Sequence, residues 1–428
     1  MTLNRSQAPA FKDAVDFELT LKPYEKYTLD NGIPVYVVPS KEQDTIQMEL
    51  VFPGGSWFET QGQQAFATNY LMKNGSSKHT ALDINENIEY YGAYLNRSLH
   101  HEHGTYSLHC MTKHFADLMP ILQEVILDPV FPEDELVIFK QIMKQRLAVS
   151  LQKCDFLANR YIDQYLFGSF HPYGRVSSVE AYDALQSETL KAFYKQHYTY
   201  NNCKIFLAGN FPANFIALLN EFFGADQWNG KSEIVRKDLP IQPAQEKLYR
   251  VVNDENGVQG AVRIARPMPN RYHPDFFKIR FMNTIFGGYF GSRLMSNIRE
   301  DKGYTYGIHS QVYNFRQIGA LNISTEAGRD VCEATITEVY HEMERMKTEL
   351  VPEDELSLVR NYMLGLTLGD LDGAFQVIQR WKNLILNDLD ENYFYKNIEV
   401  IKNITAEEIQ QLAQQYLNKT DFYELIVV

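Results

Sequence analysis

Cysteine is scarce: four occur in 428 residues, Cys110, Cys154, Cys203 and Cys332, and no two share a Cys-x-x-Cys spacing. That excludes a disulfide framework and a zinc knuckle, and leaves ordinary buried thiols. Positive charge is short as well. Against 54 Asp and Glu stand 41 Lys and Arg, a formal charge of −13. A protein that follows a phosphate backbone needs a basic footprint, so nucleic acid is not the expected partner. No apolar run approaches the length of a membrane span, and the opening residues lack the apolar core of a signal peptide. A soluble chain is expected, cytoplasmic or periplasmic.

Hydrophobic residues make up 45% of the chain, with 27 Tyr and 26 Phe, which describes a globular protein too long for one ordinary core. Residues 1–23 are polar and weakly patterned, an expected N-terminal arm. Tyr27–Pro39 reads as strand, Asn-Gly turn, strand, and Ile46–Phe52 alternates as a half-buried strand. Helices are expected over Ala65–Asn74 and Leu82–Tyr91, and Leu95–Cys110 has strand character. A helical pair fills 113–152, helices follow at Leu157–Leu166 and Ser187–Tyr198, and a buried strand closes the half at Asn202–Gly209. Residues 229–246 carry two prolines and no helical period, a linker.

Beyond the linker the pattern starts again. Pro132-Glu-Asp-Glu-Leu136 recurs as Pro352-Glu-Asp-Glu-Leu356, and Leu185–Leu190 recurs as Ile404–Ile409, at offsets of 220 and 219. Two matches at nearly one offset indicate a duplication, with domains at 24–228 and 247–428. Periodicity alone gives mixed α/β with a repeat.

The stretch Phe286–Tyr306 is the richest in chemistry. Gly287, Gly288 and Gly291 let a second backbone approach closely. Arg299 and Tyr306 stand seven residues apart across a Lys302-Gly303 turn and offer donors suited to a peptide carbonyl. The bland alternatives are a helix-capping Arg and a packed Tyr. Without Gly-Lys-Ser/Thr or G-x-G-x-x-G, the loop is not a phosphate cradle. Leu99-His-His-Glu-His103 looks metal-binding, and on a strand His101 and His103 would share a face while His100 and Glu102 share the other. A third ligand at useful spacing is missing. Glu59 reads as a surface carboxylate and His171 as part of a turn.

These pieces resemble the insulinase or pitrilysin-type zinc peptidases, over nearly the whole chain after about residue 25. The strongest stretches are Arg263–Ser310, with Ile298-Arg-Glu-Asp-Lys-Gly-Tyr-Thr-Tyr-Gly307, and His171-Pro-Tyr-Gly-Arg175. The resemblance implies an α+β fold of two similar domains, each a largely antiparallel sheet with helices packed on one face. Active members carry His-x-x-Glu-His on the first helix and a Glu ligand about seventy-five residues later. Here the matching helix puts Phe66, Asn69 and Tyr70 where His, Glu and His belong, and the third position falls near Val149. Phe and Val offer no lone pair, Asn is a poor base, and Tyr ligates only as a costly phenolate. The resemblance therefore implies a degenerate first domain, with no metal and no cofactor of its own. It also implies a second domain whose Arg299 and Tyr306 match the family's Arg/Tyr pair, with the glycines beside them as substrate-binding positions. A zinc-bearing homologous subunit, a heterodimer and a peptide substrate are the implied partners, zinc residing in that subunit. A homodimer and a non-catalytic scaffold of the same fold are the alternatives.

Overall fold

In a computed structural model of the chain, residues 12–225 and 227–428 are described; the first eleven residues of the expected arm lie outside them. The first sheet contains β1 (Glu25–Thr28), β2 (Pro34–Pro39), β3 (Thr45–Phe52), β4 (Tyr94–Leu99), β5 (Gly104–Met111) and β6 (Lys204–Gly209). Its order is β1-β2-β6-β3-β5-β4, and every neighbouring pair is antiparallel except β2 with β6. The Asn31-Gly32 turn joins β1 to β2, with Gly32 at φ +96°, a conformation that suits glycine.

The second sheet contains β7 (Leu248–Val251), β8 (Gln259–Met268), β9 (Thr305–Asn314), β10 (Gly319–Gly328) and β11 (Tyr423–Val427), in the order β7-β11-β8-β10-β9. β7 runs parallel to β11, and β9 antiparallel to β10. Setting β1 aside, the two sheets have one topology: β2-β6-β3-β5-β4 corresponds to β7-β11-β8-β10-β9. The duplication read from two short phrases is thus a duplication of folds. Pro132 and Pro352 both occupy the N-cap, extended in φ and ψ, with three acids in the first turn of Glu133–Ser150 and of Glu353–Gly369. Negative charge in the first turn suits the positive end of the helix dipole, and both helices start at the same place in the repeat.

Two expectations are corrected. Leu95–Cys110 is a hairpin, β4 and β5, and its turn is His100–His103. His100 N–H closes that turn on the His103 carbonyl at 2.8 Å. The four residues therefore do not alternate across a strand. β3 is buried on both faces rather than one. Its polar positions Gln47 and Glu49 are covered, and Glu49 receives Ser107 Oγ at 3.0 Å and Lys382 Nζ at 2.7 Å.

The chain divides into two compact units. One holds residues 23–261, 373–383 and 423–428; the other holds the described residues up to Lys22, 262–372 and 384–422. In the first unit, a continuous core joins β2, β3, β5 and β6 to helices Gln64–Leu71, Phe115–Leu127, Glu133–Ser150 and Ser187–His197. Each fully buried aliphatic or Phe side chain there contributes about 1.5–3 kcal/mol. Among the described residues, no helix is long and apolar enough to cross a membrane.

Candidate functional site

In the first unit, the helix Gln64–Leu71 holds Phe66, Asn69 and Tyr70, the positions expected from the sequence resemblance to stand in place of a zinc motif. Phe66 and Tyr70, one turn apart, share its half-exposed face, while Asn69 is buried. Their rings gather on Phe139 from the helix Glu133–Ser150, at 5.7 and 4.9 Å between centroids. The Arg97 guanidinium covers Tyr70 at 3.7 Å. Asn69 turns inward: its Nδ2 donates to Tyr198 Oη at 3.2 Å, and its carbonyl accepts Tyr106 Oη at 2.5 Å. Val149 is more than half exposed and offers no donor atom. This donor set does not fit zinc. The Phe66 and Tyr70 rings are instead engaged with Phe139, and such ring pairs add about 0.5–1.5 kcal/mol each beyond their buried area.

The His100–His103 turn is also structural. His101 meets the Tyr173 ring edge-on at 4.8 Å, and its Nδ1 lies 3.2 Å from Ser56 Oγ. Burial pushes its pKa down to about 4, so the ring is neutral near pH 7. His171 does belong to a turn but is buried, with Nδ1 accepting Tyr173 N–H at 3.2 Å and Trp57 packed edge-on at 5.4 Å. Among the described residues, no three His, Cys, Asp or Glu side chains group as a metal set. Glu59 is not the surface carboxylate expected, since only 3% of its side chain is exposed. It caps the degenerate helix, accepting Ala65 N–H at 2.9 Å, and its other oxygen receives Arg175 Nη1 at 3.3 Å.

The second unit carries Arg299 and Tyr306. Arg299 lies in the helical turns Met295–Asp301, anchored from below by buried Met295 and Ile298. The chain reverses at Gly303, φ +67°, and Tyr304 N–H returns to the Ile298 carbonyl at 3.0 Å. β9 then begins, an edge strand with β10 on one side. Its register slips at once: Ile308 faces Thr325, but Thr305 faces Ala327. Tyr306 and Gly307 thus oppose the single residue Glu326, a β-bulge on the edge strand. Bulges re-aim side chains, and this one leaves Tyr306 96% exposed. Nothing in the sequence marks a bulge except the Tyr-Gly step. Arg299 is about one-third exposed, and its guanidinium lies 4.6 Å from the centre of the exposed Phe290 ring.

The three glycines have internal neighbours. A Cβ on Gly287 would sit 2.7 Å from Leu294 Cδ1 and 2.7 Å from Ser310 Cβ; one on Gly288 would meet the Asn283 carbonyl at 3.1 Å. One on Gly291 would meet the Tyr289 ring at 2.9 Å. None of the three has positive φ, so close approach rather than backbone conformation is what favours glycine here. Beside the loop, a cleft of about 670 Å³ is lined by charged groups, Arg293, Lys302 and Glu342 among them. These pair with neighbours: Arg293 forks onto Glu355 at 3.0 and 2.7 Å, Arg345 onto Glu342 at 3.2 Å, and Lys302 faces Glu338 at 3.5 Å. The cleft is an ion-paired helix surface.

Residues 35–165 match the model of the insulinase family, peptidase family M16, and residues 184–363 match that of the peptidase M16 inactive domain. An uncharacterized zinc protease, YmxG, of Bacillus subtilis (strain 168) is 22% identical over 413 residues, 94% of this chain and 98% of that one. The crystal structure of a peptidase M16 inactive domain from Pseudomonas fluorescens superposes with a TM-score of 0.83 at 21% identity, covering 94% of this chain and 98% of that one. A protease from Helicobacter pylori gives 0.84 at 14% identity, covering 95% and 100%. With both family models matched in order along most of its length, and the sheet topology repeated, the chain belongs to the M16 peptidase family and contains that family's inactive-type domain.

Proposed function

We propose that this chain is the non-zinc subunit of a two-chain zinc endopeptidase. The observation that carries this reading is the display of Arg299 and Tyr306: one is held against an exposed ring, the other is thrown outward by an edge-strand bulge. A guanidinium can give two parallel N–H bonds to the two oxygens of a carboxylate or direct its N–H groups at one carbonyl oxygen, and the phenol can give one more. Aimed where charge develops on a scissile carbonyl, such donors lower the barrier without reorganising during the reaction. β9 supports the same reading, because an edge strand can accept a peptide main chain to main chain. Zinc and the attacking water belong to a homologous partner chain that carries His-x-x-Glu-His. The relatives named as zinc proteases and the aromatic filling of this chain's own motif are both consistent with that division.

The test is to co-express the chain with a zinc-bearing homologue and to assay each alone and mixed. Peptide hydrolysis is expected from the mixture only. Tyr306→Phe in the mixture is expected to slow turnover by about 10²- to 10³-fold while assembly is unchanged by size-exclusion chromatography. Hydrolysis indifferent to Tyr306→Phe and to Arg299→Ala removes this mechanism and leaves the scaffold reading.

A further inference from the structure

Phe290 is two-thirds exposed, and its ring packs against the Arg299 guanidinium at 4.6 Å. The residues on either side fix where that ring stands. Tyr289 packs at a tilt against Tyr362 of the helix Glu353–Gly369, 5.0 Å between ring centres. Gly291 fits against the Tyr289 ring where a Cβ would not, and Ser292 N–H closes the turn on the Tyr289 carbonyl at 3.1 Å. With both flanks pinned, Phe290 is presented outward by the turn.

Arg299 has competitors for its charge. Glu300 and Asp301 follow it directly, and Glu300 Oε1 pairs with Arg299 Nη1 at 3.8 Å, an ion pair too long for a hydrogen bond. A guanidinium bonded to either carboxylate would have fewer donors left for a peptide. An aromatic ring attracts the cation through its π cloud without accepting a conventional hydrogen bond, so the N–H donors are not consumed by carboxylate oxygens.

We infer that Phe290 is a positioning residue for Arg299, a ring that keeps the guanidinium beyond hydrogen-bond length of Glu300 and its donors available to substrate. This rests on the reading that Arg299 acts on a peptide bound in the two-chain enzyme. An exposed pair of this kind is worth about a two- to five-fold effect.

The experiment uses the mixed complex with Phe290→Leu, which keeps bulk but removes the π face, and with Phe290→Tyr, which retains it. Phe290→Leu is expected to lower kcat about two- to five-fold with KM and thermal stability unchanged, and Phe290→Tyr to restore it. In an Arg299→Ala background, Phe290→Leu is expected to add nothing. A second readout needs no partner: in the arginine-labelled chain alone, the Arg299 side-chain NMR signals should show a ring-current shift. That shift should disappear in Phe290→Leu and persist in Phe290→Tyr. Absence of the shift in the parent chain overturns the inference. So does unchanged kcat in Phe290→Leu when Arg299→Ala is slow, and the Arg/Tyr reading then stands alone. If Arg299→Ala is itself as fast as the parent, both fall together.

Discussion

Glu59 brings its carboxylate to the N-terminus of the helix Gln64–Leu71, between the Ala65 N–H and the Arg175 guanidinium. Burial outweighs both and pushes its pKa up to about 7. In the unfolded chain the group titrates near 4.5, so the folded state is the better proton binder. Its contribution to stability is complete below about pH 4.5 and falls away as pH rises towards about 7, by roughly 3 kcal/mol at most. His101 and His197, both pushed down to about 4 by burial, act in the opposite sense, losing stability as pH falls below 6.5. The parent chain's melting temperature therefore combines opposed slopes, and a difference measurement separates them. Glu59→Gln is expected to gain stability relative to the parent as pH rises from about 4.5 to 7, followed by calorimetry at each pH. A constant difference across that range would mean Glu59 titrates normally. Its burial was not legible in the sequence, because a Glu before a helix looks the same whether it caps from solvent or from the core. The spacing of Arg299 and Tyr306 across a Lys-Gly turn is a one-dimensional property and can be read from the sequence, whatever the two residues do. The bulge under Tyr306 depends on strand register and the ring beside Arg299 on the separate turn Tyr289–Ser292, and no local pattern encodes either contact.

At the scale of elements, the loop from Phe286 to Gly291 is closely packed at its glycines. Gly287 abuts Leu294 and the backbone and Cβ of Ser310 on β9, all buried. Gly287→Ala is expected to force the loop off β9 at a cost of about 1–3 kcal/mol, seen as a lower melting temperature whether or not a partner is present. Gly365 makes the opposite case: it lies within the helix Glu353–Gly369, nothing stands within 4 Å of a Cβ there, and its φ is not positive. Gly365→Ala should stabilise the chain by about 0.5–1 kcal/mol in the same assay. Opposite signs from one substitution type would separate close packing from chain entropy. The sequence located these helices well because acids after Pro and a 3.6-residue period are local signals. It merged β4 and β5 because four polar residues in a row, His100–His103, contain none of the Gly, Asn or Pro that usually mark a turn.

The repeat is a property of sequence, and the compact units are cut differently because each copy extends a helix onto strands of the other. The helix Cys154–Phe167 packs on β11, and its Tyr165 stacks on Tyr249 of β7 at 3.7 Å. Its counterpart, Gly373–Leu386, begins 219 residues later, and residues 373–383 join the unit built on the first sheet. There Trp381 meets Tyr24 edge-on at 4.7 Å, and Lys382 neutralises Glu49 on β3. Glu49 is 8% exposed, too buried to remain charged cheaply without a cation. A fragment of residues 24–228 would keep Glu49 and lose Lys382, Trp381 and the strand that covers its own helix. It is expected to lack a cooperative melt, and co-expression with 247–428 is expected to recover one. In the intact chain, Lys382→Met should destabilise by about 3 kcal/mol, and adding Glu49→Gln should recover most of that loss, since a buried amide costs less than a buried unpaired charge. If the fragment alone melts as sharply as the whole chain, or the second substitution recovers nothing, the exchanged helix does not hold the halves together.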